Sequence, residues 1–112
     1  MADLGTVTFE GQSGRQYEFR IYTLDTPFKA LGGVYGMLHR YSKPDGNGYY
    51  ANPIYFGETG DLSSRFDNHH RQACFNRNGV NCIAVHLDGD SPSRLSKETD
   101  LIRRWNPTCN QQ

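Results

Sequence analysis

Gly33-Val34-Tyr35-Gly36-Met37-Leu38-His39-Arg40 and Asn52-Pro53-Ile54-Tyr55-Phe56-Gly57 are the two segments whose reading decides the fold. Each reads as a β-strand. The connection between them, Tyr41 to Ala51, contains Pro44-Asp45-Gly46-Asn47-Gly48 and reads as a loop. Outward from this pair, Val80 to Leu87 is a third strand, separated from the preceding segment by the breaker run Asn76 to Gly79. Towards the amino terminus, Thr6 to Glu10 and Gln16 to Tyr22 alternate apolar and polar residues around Gly11-Gln12-Ser13-Gly14, which predicts a β-hairpin. Asp25-Thr26-Pro27 reads as a turn.

Two segments carry helical periodicity. Ser91 to Trp105 places Leu95, Leu101, Ile102 and Trp105 on an apolar stripe at 100° per residue. Ser91-Pro92 supplies an N-cap followed by proline, and Asn106-Pro107 ends the run. Leu62 to Ala73 is the other expected helix, with Asp61 as its N-cap and Leu62, Phe66 and Ala73 on one face. Both turn ionisable groups inward. Glu98 falls inside the stripe of its helix, and Arg65 and His69 lie on or beside the apolar face of theirs. A core-facing glutamate is costly unless a cation, a metal or a dense hydrogen-bond set compensates it. That pattern points to a site.

Composition narrows the classes. The chain has 112 residues, the length of a single domain with one modest core. Its formal net charge is zero, whereas a protein that wraps long duplex non-specifically is normally basic, so any nucleic-acid footprint is short or local. Seven Tyr and six Phe leave scope for base stacking as well as core. No apolar run is long enough for a membrane span, and the first residues lack the basic and apolar regions of a signal peptide. Cys74, Cys82 and Cys109, odd in number and irregularly spaced, read as reduced thiols of a cytoplasmic protein. Cys74 and Cys82 with His69 and His70 lack zinc-site spacing.

Gly33-Val34-Tyr35, then Tyr55-Phe56-Gly57, Leu62 and Arg65, then Glu98 followed by Leu101-Ile102, Pro107 and Asn110, occur in an order that resembles the signature of the GIY-YIG nucleases. The resemblance spans roughly residues 33–110 and leaves residues 1–30 outside as an amino-terminal hairpin extension of a single domain, 1–112. It implies an α/β (α+β) fold, a small central antiparallel three-stranded sheet flanked by helices, with the hairpin extending the sheet or capping one side. It also implies metal-dependent endonucleolytic hydrolysis of DNA, and a small neutral chain with stacking aromatics favours single-stranded or distorted DNA as the substrate. The other class open to the chain is a catalytically silent nucleic-acid-binding or protein-interaction module of the same fold.

Phosphodiester cleavage requires a deprotonated nucleophile, charge neutralisation on the non-bridging oxygens and stabilisation of the leaving oxygen. By the resemblance, Glu98 holds Mg²⁺ or Mn²⁺, an ion that needs as little as one carboxylate with water and substrate oxygens. The structural alternative is a Glu98–Arg65 pair. Arg65 would fork onto the scissile phosphate. The resemblance makes Tyr35 the general base or water orienter, Tyr55 a hydrogen-bonder to phosphate or metal-bound water, and Asn110 a brace. His69, one expected helical turn after Arg65, would accept or relay a proton, and its alternative is a satisfied half-buried histidine. His70 would point to the surface. Strand alternation puts Tyr55 opposite Ile54 and Phe56. Two features depart from the family pattern. The stretch between the two tyrosine motifs is longer, with Lys43, Tyr49 and Tyr50 in a 41–53 loop that is either a stacking or phosphate-contacting flap or an inert insertion. Glu58 also stands where some relatives carry a basic residue.

Overall fold

Along Gln16–Thr23, Tyr17, Phe19 and Ile21 are buried while Gln16, Glu18 and Arg20 are exposed, the period-two pattern of a half-covered strand. In the computed structural model, which describes residues 3–66 and 69–111, this segment is β2, and it forms an antiparallel hairpin with β1 (Asp3–Glu10). β3 (Gly33–Ser42), β4 (Tyr49–Thr59) and β5 (Cys82–Leu87) join them. Among the described residues these strands make one five-stranded sheet in the order β1-β2-β5-β3-β4, antiparallel at every step and curled into a half-barrel.

The expected three-stranded sheet flanked by helices is therefore corrected. β2 pairs along β5 from Arg20↔Val85 to Thr23↔Cys82, so the hairpin supplies two full strands rather than an appendage. The reason is burial: Ile21 lies opposite Ala84, both in the core, and an isolated two-stranded hairpin is marginal in water. The 41–51 loop is likewise shorter than its composition suggested. Tyr41↔Tyr50 and Ser42↔Tyr49 continue the β3–β4 ladder, and the turn is confined to residues 43–48, where Gly46 and Gly48 take φ of 76° and 103°.

The helices are few. α1 (Gln72–Arg77) is short, and α2 (Ser91–Trp105) starts at an Asp90 cap whose side chain accepts from Ser93 N and ends at a left-handed Asn106. The expected helix from Leu62 to Ala73 does not form. Residues 62–66 are turns, and positions 67 and 68 of that segment lie outside the described residues. Asp61 does not cap a helix; it accepts from Ser63 N and Ser63 Oγ, a local side-chain turn that competes with helical bonding. The apolar stripe of α2 also shifts. Leu95 and Trp105 are exposed and Leu101 is buried, while Arg94 is buried with it and Glu98 is half-buried between them.

Cores lie on both faces of the sheet. One gathers Phe9, Phe19, Val34, Leu38, Phe56 and Leu101. The other gathers Tyr35, Met37, Ile54, Tyr55, Leu62 and Phe75. Cys74 of α1 and Cys109 of the short 3₁₀ turn Thr108–Asn110 are disulfide-bonded, which corrects the reading of three reduced thiols; only Cys82, buried, is free. Among the described residues, no helix is long and apolar enough to cross a membrane.

Candidate active site

Tyr35 and Tyr55 share a face of the sheet by register, since Tyr35 pairs with Gly57 and Met37 with Tyr55, and a backbone irregularity adds Ile54 to that face. Met37 pairs with Tyr55 but Leu38 pairs with Pro53, so Ile54 is an extra residue in β4. This bulge puts Ile54 and Tyr55 together in one core while Phe56 joins the other. Simple alternation had separated Tyr55 from Ile54, and the bulge corrects that. Directly opposite Tyr35 stands Gly57, where a Cβ would lie 2.5 Å from the Tyr35 Oη. The glycine is required so that the phenol can cross the neighbouring strand.

The Tyr35 hydroxyl is a meeting point. Arg65 Nε donates to it at 2.9 Å, and His69 Nε2 lies 2.8 Å from it. His69 Nδ1 accepts from the Arg71 backbone N–H at 3.0 Å, so in the neutral ring the proton sits on Nε2 and is donated to Tyr35. Both neighbours thus donate to the phenol oxygen, which partly offsets the cost of burying it in charged form. His69 acts here as a donor to Tyr35, not as an acceptor of its proton. Burial, then the positive charge of Arg65, lowers the His69 pKa to about 4. Burial, then the neighbouring Tyr55, pushes the Tyr35 pKa well above its ordinary value, opposed by the hydrogen bond and charge of Arg65. Tyr35 is fully enclosed, with its hydroxyl covered by these two donors. His69 and Arg65, expected one helical turn apart, converge on Tyr35 although residues 62–66 are turns rather than helix. His70 is exposed as expected and stacks on His69 at 4.5 Å.

Glu98 comes from α2. Burial, then the negative charge of Glu58, raises its pKa, opposed by Arg65 and by the Glu58 backbone N–H. Its neighbours therefore include the residue that follows Gly57 and the guanidinium that holds Tyr35. Asn110 clamps the backbone of β4 one residue after Tyr55: Phe56 N donates to its Oδ1 at 2.8 Å and its Nδ2 donates to Phe56 O at 2.9 Å. The six expected residues thus gather around one stretch, Tyr55 to Glu58, of β4. Asn110 stands at the backbone, apart from the Tyr35 hydroxyl.

Sequence reasoning missed Arg94 and Arg71 and gave Glu58 no partner. Arg94, buried, donates through Nε to Glu58 Oε1 at 3.0 Å and through Nη1 to Asp88 O at 3.2 Å. Its spacing of four and seven residues from Glu98 and Leu101 was the available signal. Glu58 is the partner of Arg94, which explains an acidic residue at that position. Arg71 has a buried Nε with no hydrogen-bond partner among the described residues.

Among the described residues, no three His, Cys, Asp or Glu side chains converge on a point. With Glu58 engaged by Arg94, the donor set reduces to the Glu98 carboxylate. One half-buried carboxylate whose charged form is disfavoured by burial fits a hard divalent ion that keeps most of its water, and does not fit zinc. Comparison with protein-family models, with curated proteins and with solved structures returns no match.

Proposed function

We propose that this chain is a metal-dependent DNA endonuclease of the GIY-YIG type, hydrolysing a phosphodiester bond in one in-line step. The observation that carries the reading is the hub at Tyr35: Arg65 and His69 donate to one phenol oxygen at 2.9 and 2.8 Å, beside a half-buried Glu98. A hydroxyl buried only for packing needs one partner; two donors, one of them a guanidinium, prepare an oxygen to carry negative charge.

In this reading Arg65 spends Nε on Tyr35 and turns its terminal nitrogens to the non-bridging oxygens of the scissile phosphate. Tyr35 acts as base towards the attacking water, its phenolate form, which burial disfavours, being supported by Arg65, by the His69 Nε2–H and by the charge that a bound metal would add. Tyr55, next to Tyr35 with ring centroids 6.1 Å apart, hydrogen-bonds the phosphate or its hydration shell. Asn110 fixes the strand that presents Tyr55. Glu98 would hold Mg²⁺ or Mn²⁺, which when bound supplies charge neutralisation at the phosphate and a more acidic nucleophilic water. The cytoplasmic expectation rested on reduced thiols, and the Cys74–Cys109 bond removes that support.

The test is cleavage of labelled single-stranded, duplex and branched DNA by the full chain with Mg²⁺, with Mn²⁺ and with a chelator. Metal-dependent cutting is expected, lost in Arg65→Lys almost as fully as in Arg65→Ala, because lysine keeps the charge and loses the planar fork. Tyr35→Phe should slow single-turnover cleavage by about 10²–10⁴-fold, the usual worth of general acid–base assistance. No cutting of any substrate with either metal would leave the binding-module reading in its place.

A further inference from the structure

Beyond Leu38, β3 loses its β5 neighbour and is paired with β4 alone. Asn81 marks the boundary: its Oδ1 accepts from Arg40 N at 2.8 Å and its Nδ2 donates to Arg40 O at 2.7 Å. What continues is a two-stranded ribbon, residues 39–52, and it carries Tyr41, Tyr49 and Tyr50 at 46 %, 54 % and 47 % exposure. Three half-bare aromatic rings on a ribbon bury little apolar surface and contribute little to the fold.

The rings are organised. Tyr41 and Tyr50 stand directly opposite each other, centroids 5.2 Å apart, and His39, two residues before Tyr41, extends the row at 5.2 Å. Lys43 Nζ lies 5.4 Å from the Tyr50 ring, and the Arg40 guanidinium sits 3.7 Å over Tyr49 on the other side of the ribbon. Within residues 39–52 the cations are Arg40 and Lys43, and the one acid, Asp45, is turned to Asn47 N at the tip. His39 is anchored by its Nδ1 to Gly79 O at 2.7 Å, so the row begins where the cover of the sheet ends. By strand alternation this row lies on the face that carries Tyr35 and Met37. Tyr41 is six positions along the same strand from Tyr35, roughly 20 Å at about 3.3 Å per residue.

We infer that the β3–β4 ribbon is a binding arm for single-stranded DNA, with Tyr41 and Tyr50 as base-stacking platforms and Lys43 as the phosphate contact on their face. The inference deepens the endonuclease reading by assigning its substrate class, and rests on it for the place of the scissile bond. Aromatic faces interleaved with cations match the alternation of base and phosphate in an unpaired strand. Stacked bases of a duplex present no open face to such rings, which is why the unpaired strand is the occupant. A neutral chain with a short cationic arm suits a short footprint.

The test measures binding apart from cleavage. Fluorescence anisotropy with a labelled oligothymidylate of about 12 nucleotides, in chelator, should show the Kd of Tyr41→Ala/Tyr50→Ala weakened at least about tenfold. Tyr41→Phe/Tyr50→Phe should stay within about twofold, since the ring remains. Lys43→Gln should reduce the slope of log K against log salt by about 0.7, one phosphate contact on a single strand. Unchanged affinity in the double alanine variant overturns the inference, as does tighter binding of the wild type to duplex, or to a proline-rich peptide, than to oligothymidylate. Tyrosine-dependent binding in a chain that cuts no DNA supports the arm and sinks the nuclease reading alone. Cleavage of single strands that is indifferent to Tyr41 and Tyr50 sinks the arm alone.

Discussion

Phe9, Phe19 and Phe56 pack edge-on or tilted against one another on the α2 side of the sheet, with ring centroids 5.4–6.0 Å apart and Leu101 beside them. On the opposite side the corresponding rings are Tyr35, Tyr55 and His69, buried to a similar degree but carrying polar atoms. The same strands build both. On the phenylalanine side, burial needs only volume, because hydrocarbon asks nothing of its neighbours beyond contact. On the tyrosine side every buried polar atom needs a partner, and the partners, Arg65 above all, hold charge in place. The difference teaches where stability and chemistry reside: the phenylalanine cluster answers to volume, whereas the tyrosine cluster, like the Arg94–Glu58 pair on α2, answers to hydrogen bonding and charge.

That contrast is sharpest at Glu98, where activity and stability should move in opposite directions. Glu98→Gln should cut cleavage by at least about 10³-fold, about 4 kcal/mol at 1.36 kcal/mol per tenfold. Burial and Glu58 raise the Glu98 pKa above its unfolded value, so the native state holds the proton more tightly and loses stability as pH rises through that pKa. The glutamine variant is spared this loss, and its melting temperature at neutral pH should equal or exceed wild type. A variant that melts lower and still cuts makes Glu98 structural.

Leu101→Ala should show the reverse, destabilising by about 3 kcal/mol through lost contact and cavity formation while the folded fraction cuts within a few-fold of wild type. Urea titration with single-turnover kinetics reads both quantities. A rate that collapses along with the stability would mean the two faces are coupled.

Asn110→Ala bears on the seam between the faces. It strips partners from the N–H and C=O of Phe56, whose side chain belongs to one core while the preceding Tyr55 belongs to the other. A loss of about 2 kcal/mol is expected for leaving these groups unsatisfied, with a fall in cleavage rate as Tyr55 shifts. Loss of stability at full rate would confine the brace to the fold.

The smallest effect is a pH dependence peculiar to the polar face. Burial and Arg65 hold the His69 pKa at about 4, below its unfolded value, so the unfolded chain binds the extra proton. His69 therefore contributes stability that is present above the unfolded pKa near 6.5 and lost as pH falls towards 4. Between pH 7 and 5 the wild type should lose about 1–2 kcal/mol that His69→Gln retains. Parallel pH profiles for the two proteins would show that the ring is not held neutral by the fold.

Part of the site was legible before any coordinates. Glu98 stood out because a carboxylate interrupted a helical stripe, and it is half-buried on α2 between Arg94 and Leu101. The hairpin and strands appeared with their approximate limits because period-two alternation and Gly-rich turns are local signals. Leu62 to Ala73 misled because its apolar spacing is helical, while Asp61 and Ser63 divert the backbone through side-chain bonds that periodicity does not register. Leu95 and Trp105 misled because apolar character says what burial is worth, not which face the sheet covers. The aromatic tip of the ribbon was mistaken for loop because the turn residues of 44–48 outweighed the pairing of Tyr41 with Tyr50.

Local chemistry by itself determined the strand segments, the α2 helix with its proline start and Asn106-Pro107 stop, and the presence of an inward carboxylate. Only the tertiary structure decided that the hairpin completes a five-stranded sheet, that Ile54 bulges onto the face of Tyr35 and Tyr55, that Cys74 meets Cys109, and that Arg94 takes Glu58. Each of these depends on residues far apart in the chain, where sequence spacing carries no distance. Pairing is settled by which apolar faces and unpartnered polar groups can be satisfied together once the sheet has closed around them.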